Sequence, residues 1–286
     1  TISNIRAADI LPSFKFKRFT TINGLPSNDV QKIYQDRDGF IWIASKNGLF
    51  QYDGHTVKTF KSNLHHPKML SNNNIFCMHE DWDQRLWIGS YKGLNMLDKK
   101  TGTVHQITRK EFINNSISTI FVTKNKRLLL GTDQGLYQYI HDKDSCILIN
   151  KQNTNGVFPE TTIKSMLEDS RGHLWIGTWS GGLFRYNPEN NTYYAYPKMN
   201  QINSAHTLFE DSKQRIWVGT WGEGIHLLEN PYDLEKLTWK TFTRKEHNSH
   251  SLQYNIIYDI CEDINTGTIW IGTPSGLSIL ADEQKE

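Results

Sequence analysis

Side chains able to do acid–base, nucleophilic or metal chemistry are plentiful in this chain of 286 residues, which holds 11 His, 3 Cys and 30 Asp plus Glu. Their spacing limits what they can do. The histidines are scattered without metal-ligand spacing. Cys77, Cys146 and Cys261 fall at unrelated places, so neither a zinc site nor a disulfide framework is expected and the thiols read as buried. No Ser, His and Asp group sits in a nucleophile context. What recurs is a carboxylate, at Asp36, Asp81, Asp169, Asp211 and Asp263, preceded by Glu80, Glu168, Glu210 and Glu262 in the last four cases. A feature present in four or five copies reads as architecture, because a catalytic pair breaks a repeat rather than following it. No catalytic residue, metal ligand or cofactor site is therefore expected. His79 and His206 fall in short apolar segments, and His206 with Glu210 is the one acid–base combination that an enzyme reading would use.

The repeated carboxylate announces a repeated element. Each copy leads into an aromatic-centred run: Phe40-Ile41-Trp42-Ile43-Ala44, Arg85-Leu86-Trp87-Ile88-Gly89, Leu174-Trp175-Ile176-Gly177, Arg215-Ile216-Trp217-Val218-Gly219 and Thr268-Ile269-Trp270-Ile271-Gly272. A sixth, degenerate copy has Leu129 for Trp and Thr123 for Asp. The copies step by 42 to 53 residues and each is followed by a Gly-apolar pair such as Gly182-Leu183 or Gly224-Ile225. The last copy carries one extra residue in Ile264-Asn265-Thr266-Gly267. Turns such as Asp36-Arg37-Asp38-Gly39 separate short runs rich in β-branched and aromatic residues, so each unit predicts a four-stranded antiparallel meander. The second strand is apolar on both faces, which a lone meander cannot cover. Stacking sheets face to face does cover it, and a Trp buried between sheets removes roughly 200 Å² from water, on the order of 5 kcal/mol before entropy. Helical repeats at this period fail for want of any helical apolar pattern.

The expected fold is an all-β β-propeller of four-stranded blades centred on Trp42, Trp87, Leu129, Trp175, Trp217 and Trp270. Residues 1–13 read as a leader or linker and 14–286 as the propeller. The alternating segment 14–20 resembles a fourth strand and is expected to complete the last repeat, which ends after its third strand. With that closure the propeller has six blades; without it, the chain is a fragment of a seven-bladed one. A formal charge of +2 with 22% charged residues implies no broad attraction to nucleic acid or anionic membrane. No apolar run is long enough to span a bilayer, and the chain starts without a signal peptide, so it reads as soluble or as a piece of something larger.

In a propeller the loops between second and third strands open on one face, together with the connections between blades. Asn-rich connections such as Ser71-Asn72-Asn73-Asn74 read first as turns. Among the loops Tyr91, Trp179 and Trp221 stand out beside Lys46, Lys92, Asp133 and Glu223. Aromatics of both charge surroundings at loop tips suit the stacking of a sugar ring or the grip of a partner, so Trp179, Trp221, Tyr91, Lys46, Lys92 and Glu223 are the candidate ligand-binding residues. The alternative is that each aromatic covers its neighbouring blade.

The unit of acidic residue, turn, Leu-Trp-Ile-Gly-Thr and Gly-Leu resembles the two-component regulator propeller repeat. The opening Gly24-Leu25-Pro26-Ser27-Asn28-Asp29-Val30, with Gly48-Leu49-Phe50-Gln51-Tyr52-Asp53-Gly54, is similar to the first repeat of the periplasmic sensor region of hybrid two-component histidine kinases. That resemblance implies a periplasmic sensor, without catalysis of its own, that binds oligosaccharides released from polysaccharides and controls genes for their uptake. It implies as partners the other domains of the same receptor, a kinase among them, and a second copy in the intact receptor. The family motif is structural and transfers no ligand-binding residue. A propeller lyase resembling streptogramin lyases, and a non-catalytic protein-interaction platform, stay open as alternatives.

Overall fold

The computed structural model describes residues 16–63, 66, 68–113, 115–196, 204–248 and 251–280. Six antiparallel meanders occupy them, each with its strands side by side in chain order. Blade 1 is β1 (Val30–Gln35), β2 (Ile41–Ser45), β3 (Gly48–Tyr52) and β4 (Val57–Phe60). Blade 2 is β5 (Ile75–Glu80), β6 (Arg85–Ser90), β7 (Gly93–Asp98) and β8 (Thr103–Ile107). Blade 3 is β9 (Ile117–Val122), β10 (Leu128–Thr132), β11 (Gly135–Ile140) and β12 (Ser145–Ile149). Blade 4 is β13 (Ile163–Glu168), β14 (Leu174–Thr178), β15 (Leu183–Asn187) and β16 (Thr192–Ala195). Blade 5 is β17 (Ala205–Glu210), β18 (Ile216–Thr220), β19 (Ile225–Glu229) and β20 (Thr238–Phe242). Blade 6 has three strands among the described residues, β21 (Asp259–Asp263), β22 (Thr268–Thr273) and β23 (Gly276–Leu280). The fold class is the expected one, an all-β, six-bladed β-propeller.

The chain divides into two compact units. One holds blades 1 to 3, over Lys17–Asn153 with Glu160–Ile163; the other holds blades 4 to 6, over Thr154–Pro159 and the described part of Lys164–Glu286. In each unit the core lies between neighbouring blades. Trp42 packs with Ile75, Met78, Leu86 and Ile88 of the next blade, Trp87 with Ile117, Ile120 and Leu130, and Trp217 with Ile257, Ile260 and Ile271. The second strands β10, β14 and β18 are buried along their whole length, as their unbroken apolar runs require.

The repeated carboxylate holds the turn and the indole together. In blades 1, 2, 4 and 5 one carboxylate oxygen accepts two backbone N–H groups of its own turn, and the other accepts the indole Nε1–H of the Trp six residues on, at 2.7–2.8 Å. A buried indole N–H and two turn donors are thereby satisfied by one side chain. The preceding Glu bridges blades. Glu80 accepts the backbone N–H of Arg37, while Glu210 takes the N–H and hydroxyl of Ser170, and Glu262 those of Ser212. Blade 2 adds a buried lysine: Lys99 lies 3.0 Å from Asp36, 2.7 Å from Asp38 and 2.5 Å from Glu80. Burial alone would raise the Asp36 carboxyl, but hydrogen bonds from Trp42 and Lys99 outweigh it and hold the group below its ordinary range.

Three expectations need correction or restriction. Trp270 is half-buried where the other four repeat indoles are fully buried. In blade 6 the extra residue reshapes the turn, and the Asp263 carboxylate closes on Asn265 and Thr266. Cys261 is exposed and Cys146 half-buried; among the three only Cys77 is a buried thiol. In the segment expected to close the last blade, the described part, 16–20, is not a strand. There Phe19 stacks on Tyr52 at 5.0 Å and packs with Leu25, Ile43 and Phe50 of blade 1, followed by a 3-10 turn at Thr21–Asn23 capped by Thr20. Residues 1–13, Phe14 and Lys15 lie outside the described residues.

Candidate functional site

In every blade the residue that ends or follows the second strand, Ser45, Ser90, Thr132, Thr178, Thr220 or Thr273, is buried and donates its hydroxyl to the carbonyl of the glycine that opens the third strand, at 2.8–3.0 Å. In blades 4 and 5 the same hydroxyl accepts the N–H of Gly181 or Glu223 at 2.9 Å. The loop is closed at its base, so the residue after the Thr projects from its tip. In these two blades that residue is a tryptophan.

Trp221 is anchored from both neighbouring connections. Its backbone N–H donates to the Ser204 hydroxyl at 2.9 Å, it bridges Ile256, and Gly222 and Gly224 donate to the Asn255 carbonyl at 3.2 and 2.9 Å. Asn73 and Asn115 do the same for Gly48 and Gly93 in blades 1 and 2. The Asn-rich connections are thus turns that brace the loop of the preceding blade, as their composition predicts.

The structure brings Trp179 and Trp221 together. Their ring centroids are 5.5 Å apart at 59°, and they stay 40% and 42% exposed. His206 meets Trp221 nearly edge-on at 5.0 Å, Tyr258 lies 5.9 Å from it, and the Lys164 ammonium sits 4.9 Å over the Trp179 ring. His206 falls at a β-bulge, where the β17–β18 register skips from Ala205 to Thr207. A bulge re-aims one side chain and frees it from the pleat. Lys164, second in β13, and Tyr258, just before β21, each follow a buried apolar residue as His206 follows Ala205. They are the site residues that reading the loops alone misses, and lining each first strand up with His206 would have found them.

The remaining candidates divide. Glu223 belongs to the Trp221 loop and is half-buried. Tyr91, Lys46, Lys92 and Asp133 belong to the other unit. There Tyr91 meets Phe76, again a bulge residue, edge-on at 6.4 Å, and its N–H donates to the Asn74 carbonyl. Lys46, Lys92 and Asp133 enter the described contacts through their backbones, with Asp29, Ser71 and Thr162. The acid–base pair does not form, since His206 and Glu210 stand at opposite ends of β17 and Glu210 is engaged by Ser170. His79 is a core histidine, its ring between Tyr34 and Phe121 and its Nδ1 2.9 Å from the Glu80 carbonyl; burial lowers its pKa. Among the described residues no three His, Cys, Asp or Glu side chains converge as metal ligands.

Residues 24–47, 69–92, 158–180, 201–222 and 251–275 match the two component regulator propeller repeat, which leaves out the degenerate copy at Leu129. A stretch of 51 residues is 43% identical to Histidine kinase P4 of Formosa agariphila, covering 18% of this chain and 4% of that protein. The extracellular domain of a one component system from B. thetaiotaomicron superposes with a TM-score of 0.66 at 25% identity, over 88% of this chain and 38% of its own. That of a hybrid two component system from the same organism gives 0.64 at 21%, over 92% and 41%. A streptogramin B lyase gives 0.65 at 13% identity, over 90% and 80%, which is a likeness of fold alone. The chain spans 38–41% of the extracellular domains it resembles and a far smaller share of the kinase.

Proposed function

This chain is built of two-component regulator propeller repeats, and we propose that it is the periplasmic sensor propeller of a hybrid two-component histidine kinase and response regulator, contributing to recognition of polysaccharide-derived oligosaccharides. Its likeness to extracellular domains of a one component and a hybrid two component system supports a place outside the cytoplasm. No helix among the described residues is long and apolar enough to cross a membrane. In this reading the span, kinase and receiver belong to the rest of the receptor, with a second copy of the receptor as signalling partner.

The observation that carries the ligand class is the Trp179–Trp221 pair, two indoles in contact at loop tips, Trp221 braced by both neighbouring connections, yet left about two-fifths exposed. A pair of π faces on a braced scaffold offers stacking area at little entropic cost. The lyase reading loses its acid–base pair to architecture through Ser170, so catalysis by this chain is not part of the proposal. The test is calorimetric titration of the protein and of W179A/W221A with a panel of oligosaccharides. The parent is expected to bind one class and the double variant to bind it at least about 100-fold more weakly, as loss of two aromatic anchors implies. Undiminished binding by a folded double variant would move the site elsewhere.

A further inference from the structure

The residue at the first-strand bulge differs from blade to blade, while in blades 2 to 5 its surroundings hardly change. In blades 2, 3 and 5 it is Phe76, Ser118 and His206, each skipped in the pairing with the second strand. In blades 2 to 6 the residue before it, or before its counterpart, is buried: Ile75, Ile117, Ile163, Ala205 and Ile257; in blade 1, where the register skips Gln31, Val30 is exposed. The residue after it packs against the repeat glycine, so that a Cβ on Gly219 would meet the Thr207 Cγ2 at 2.5 Å. Packing therefore fixes both neighbours and leaves the bulge position free to vary. In blades 4 to 6 the residue after that buried one is Lys164, His206 or Tyr258, the three side chains set against the two indoles.

Lys164 stands apart from its two counterparts. Its ammonium rests on the Trp179 face, and no carboxylate among the described residues lies within ion-pair distance of it. A cation over an indole at a partly exposed site is held by only about 0.5–1 kcal/mol, whereas hydrogen bonds between an ammonium and an anion are roughly twice as strong as neutral ones. An anionic substituent brought to the edge of Trp179 can therefore draw the ammonium off the ring. We propose that the side chains at this first-strand position set the specificity of the indole platform and that Lys164 selects glycans bearing a carboxylate or sulfate on the sugar that stacks there. This rests on the oligosaccharide reading above and narrows it to acidic sugars.

The experiment uses the whole chain and a glycan array in which each acidic oligosaccharide, hexuronate-containing or O-sulfated, is paired with its neutral parent of the same linkage. Titration of the hits follows at low and high sodium chloride. The expected result is an acidic glycan bound about tenfold more tightly than its neutral parent, a margin that shrinks with salt, vanishes in K164Q and survives in K164R. A preference for hexuronate over sulfate, or the reverse, identifies the anion. Equal affinity within each pair overturns the selection by Lys164 and leaves the platform as a neutral-sugar site; binding of no glycan at all overturns both readings. Should K164Q melt early, the salt dependence of the unmodified protein reads the same charge without a substitution.

Discussion

At the scale of the residue, four indoles and four aspartates account for most of what makes a blade. Trp217 is fully buried, donates to Asp211 at 2.8 Å and lies among Ile257, Ile260 and Ile271. Trp217→Ala is expected to cost about 3–5 kcal/mol, as emptying a large core site does, whereas half-buried Trp270→Ala should cost less than half of that. Urea unfolding followed by far-ultraviolet circular dichroism measures both; equal losses would mean that Trp270 is as enclosed as its counterparts. A second expectation concerns His226, buried on β19 with its Nδ1 2.9 Å from the Thr241 hydroxyl, where burial lowers its pKa to about 4. The unfolded chain takes up the proton near pH 6.5 and the folded chain only near 4, so this residue's stabilisation is full above pH 7 and declines as pH falls through that window. The decline between pH 7 and pH 5 amounts to about 2 kcal/mol and should disappear in His226→Gln, leaving the smaller change that His79 contributes in the same direction. Unfolding curves at the two pH values decide it. That these indoles are interior is legible in the sequence, because the period and the apolar flanks demand it. Their bond to the Asp six residues earlier is not, since it depends on how the intervening turn folds back.

At the scale of the element, the repeat glycine sets how closely blades approach. A Cβ on Gly219 would meet the Thr207 Cγ2 at 2.5 Å and the Ile257 Cγ2 of the next blade at 2.7 Å, whereas one on Gly272 meets nothing nearer than the Asp259 backbone at 3.7 Å. Gly219→Ala is therefore expected to destabilise by about 1–3 kcal/mol, as overpacking does, and Gly272→Ala to be nearly neutral. Thermal melts of the two variants provide the check, and a tolerated Gly219→Ala would show that blades 5 and 6 can part without loss. Strand order, the turns and the loop positions were readable from the pattern of Gly, Asp and Trp. Two things were not. Phe19 could as well have alternated into a strand as packed on Tyr52, because an apolar–charged alternation fits any surface with one greasy side. The bulge that presents His206 leaves no trace either, since one unpaired residue changes neither composition nor period. The site was legible only in part for that reason: Trp179 and Trp221 show as large aromatics at loop tips, while Lys164 and Tyr258 look like ordinary strand residues.

At the scale of the molecule, a sensor domain acts by lending binding energy to an equilibrium elsewhere in the receptor, and only the difference in ligand affinity between the two signalling states counts. The indole platform is built on braced loops, with Trp221 fixed through Ser204, Ile256 and the Asn255 carbonyl at its neighbours, so its loss should weaken binding without altering what the bound receptor does. In the intact receptor proposed above, W179A/W221A is expected to raise the glycan concentration for half-maximal autophosphorylation by about 100-fold or more. The maximal rate at saturation should stay within roughly twofold, because the states and their coupling are untouched. Purified receptor in membrane vesicles, titrated with the glycan identified by calorimetry and assayed for phosphate incorporation, reads both quantities. A variant that kept its half-maximal concentration but lost its maximum would reverse the assignment, making the two indoles part of the coupling to the kinase rather than of the site that meets the ligand.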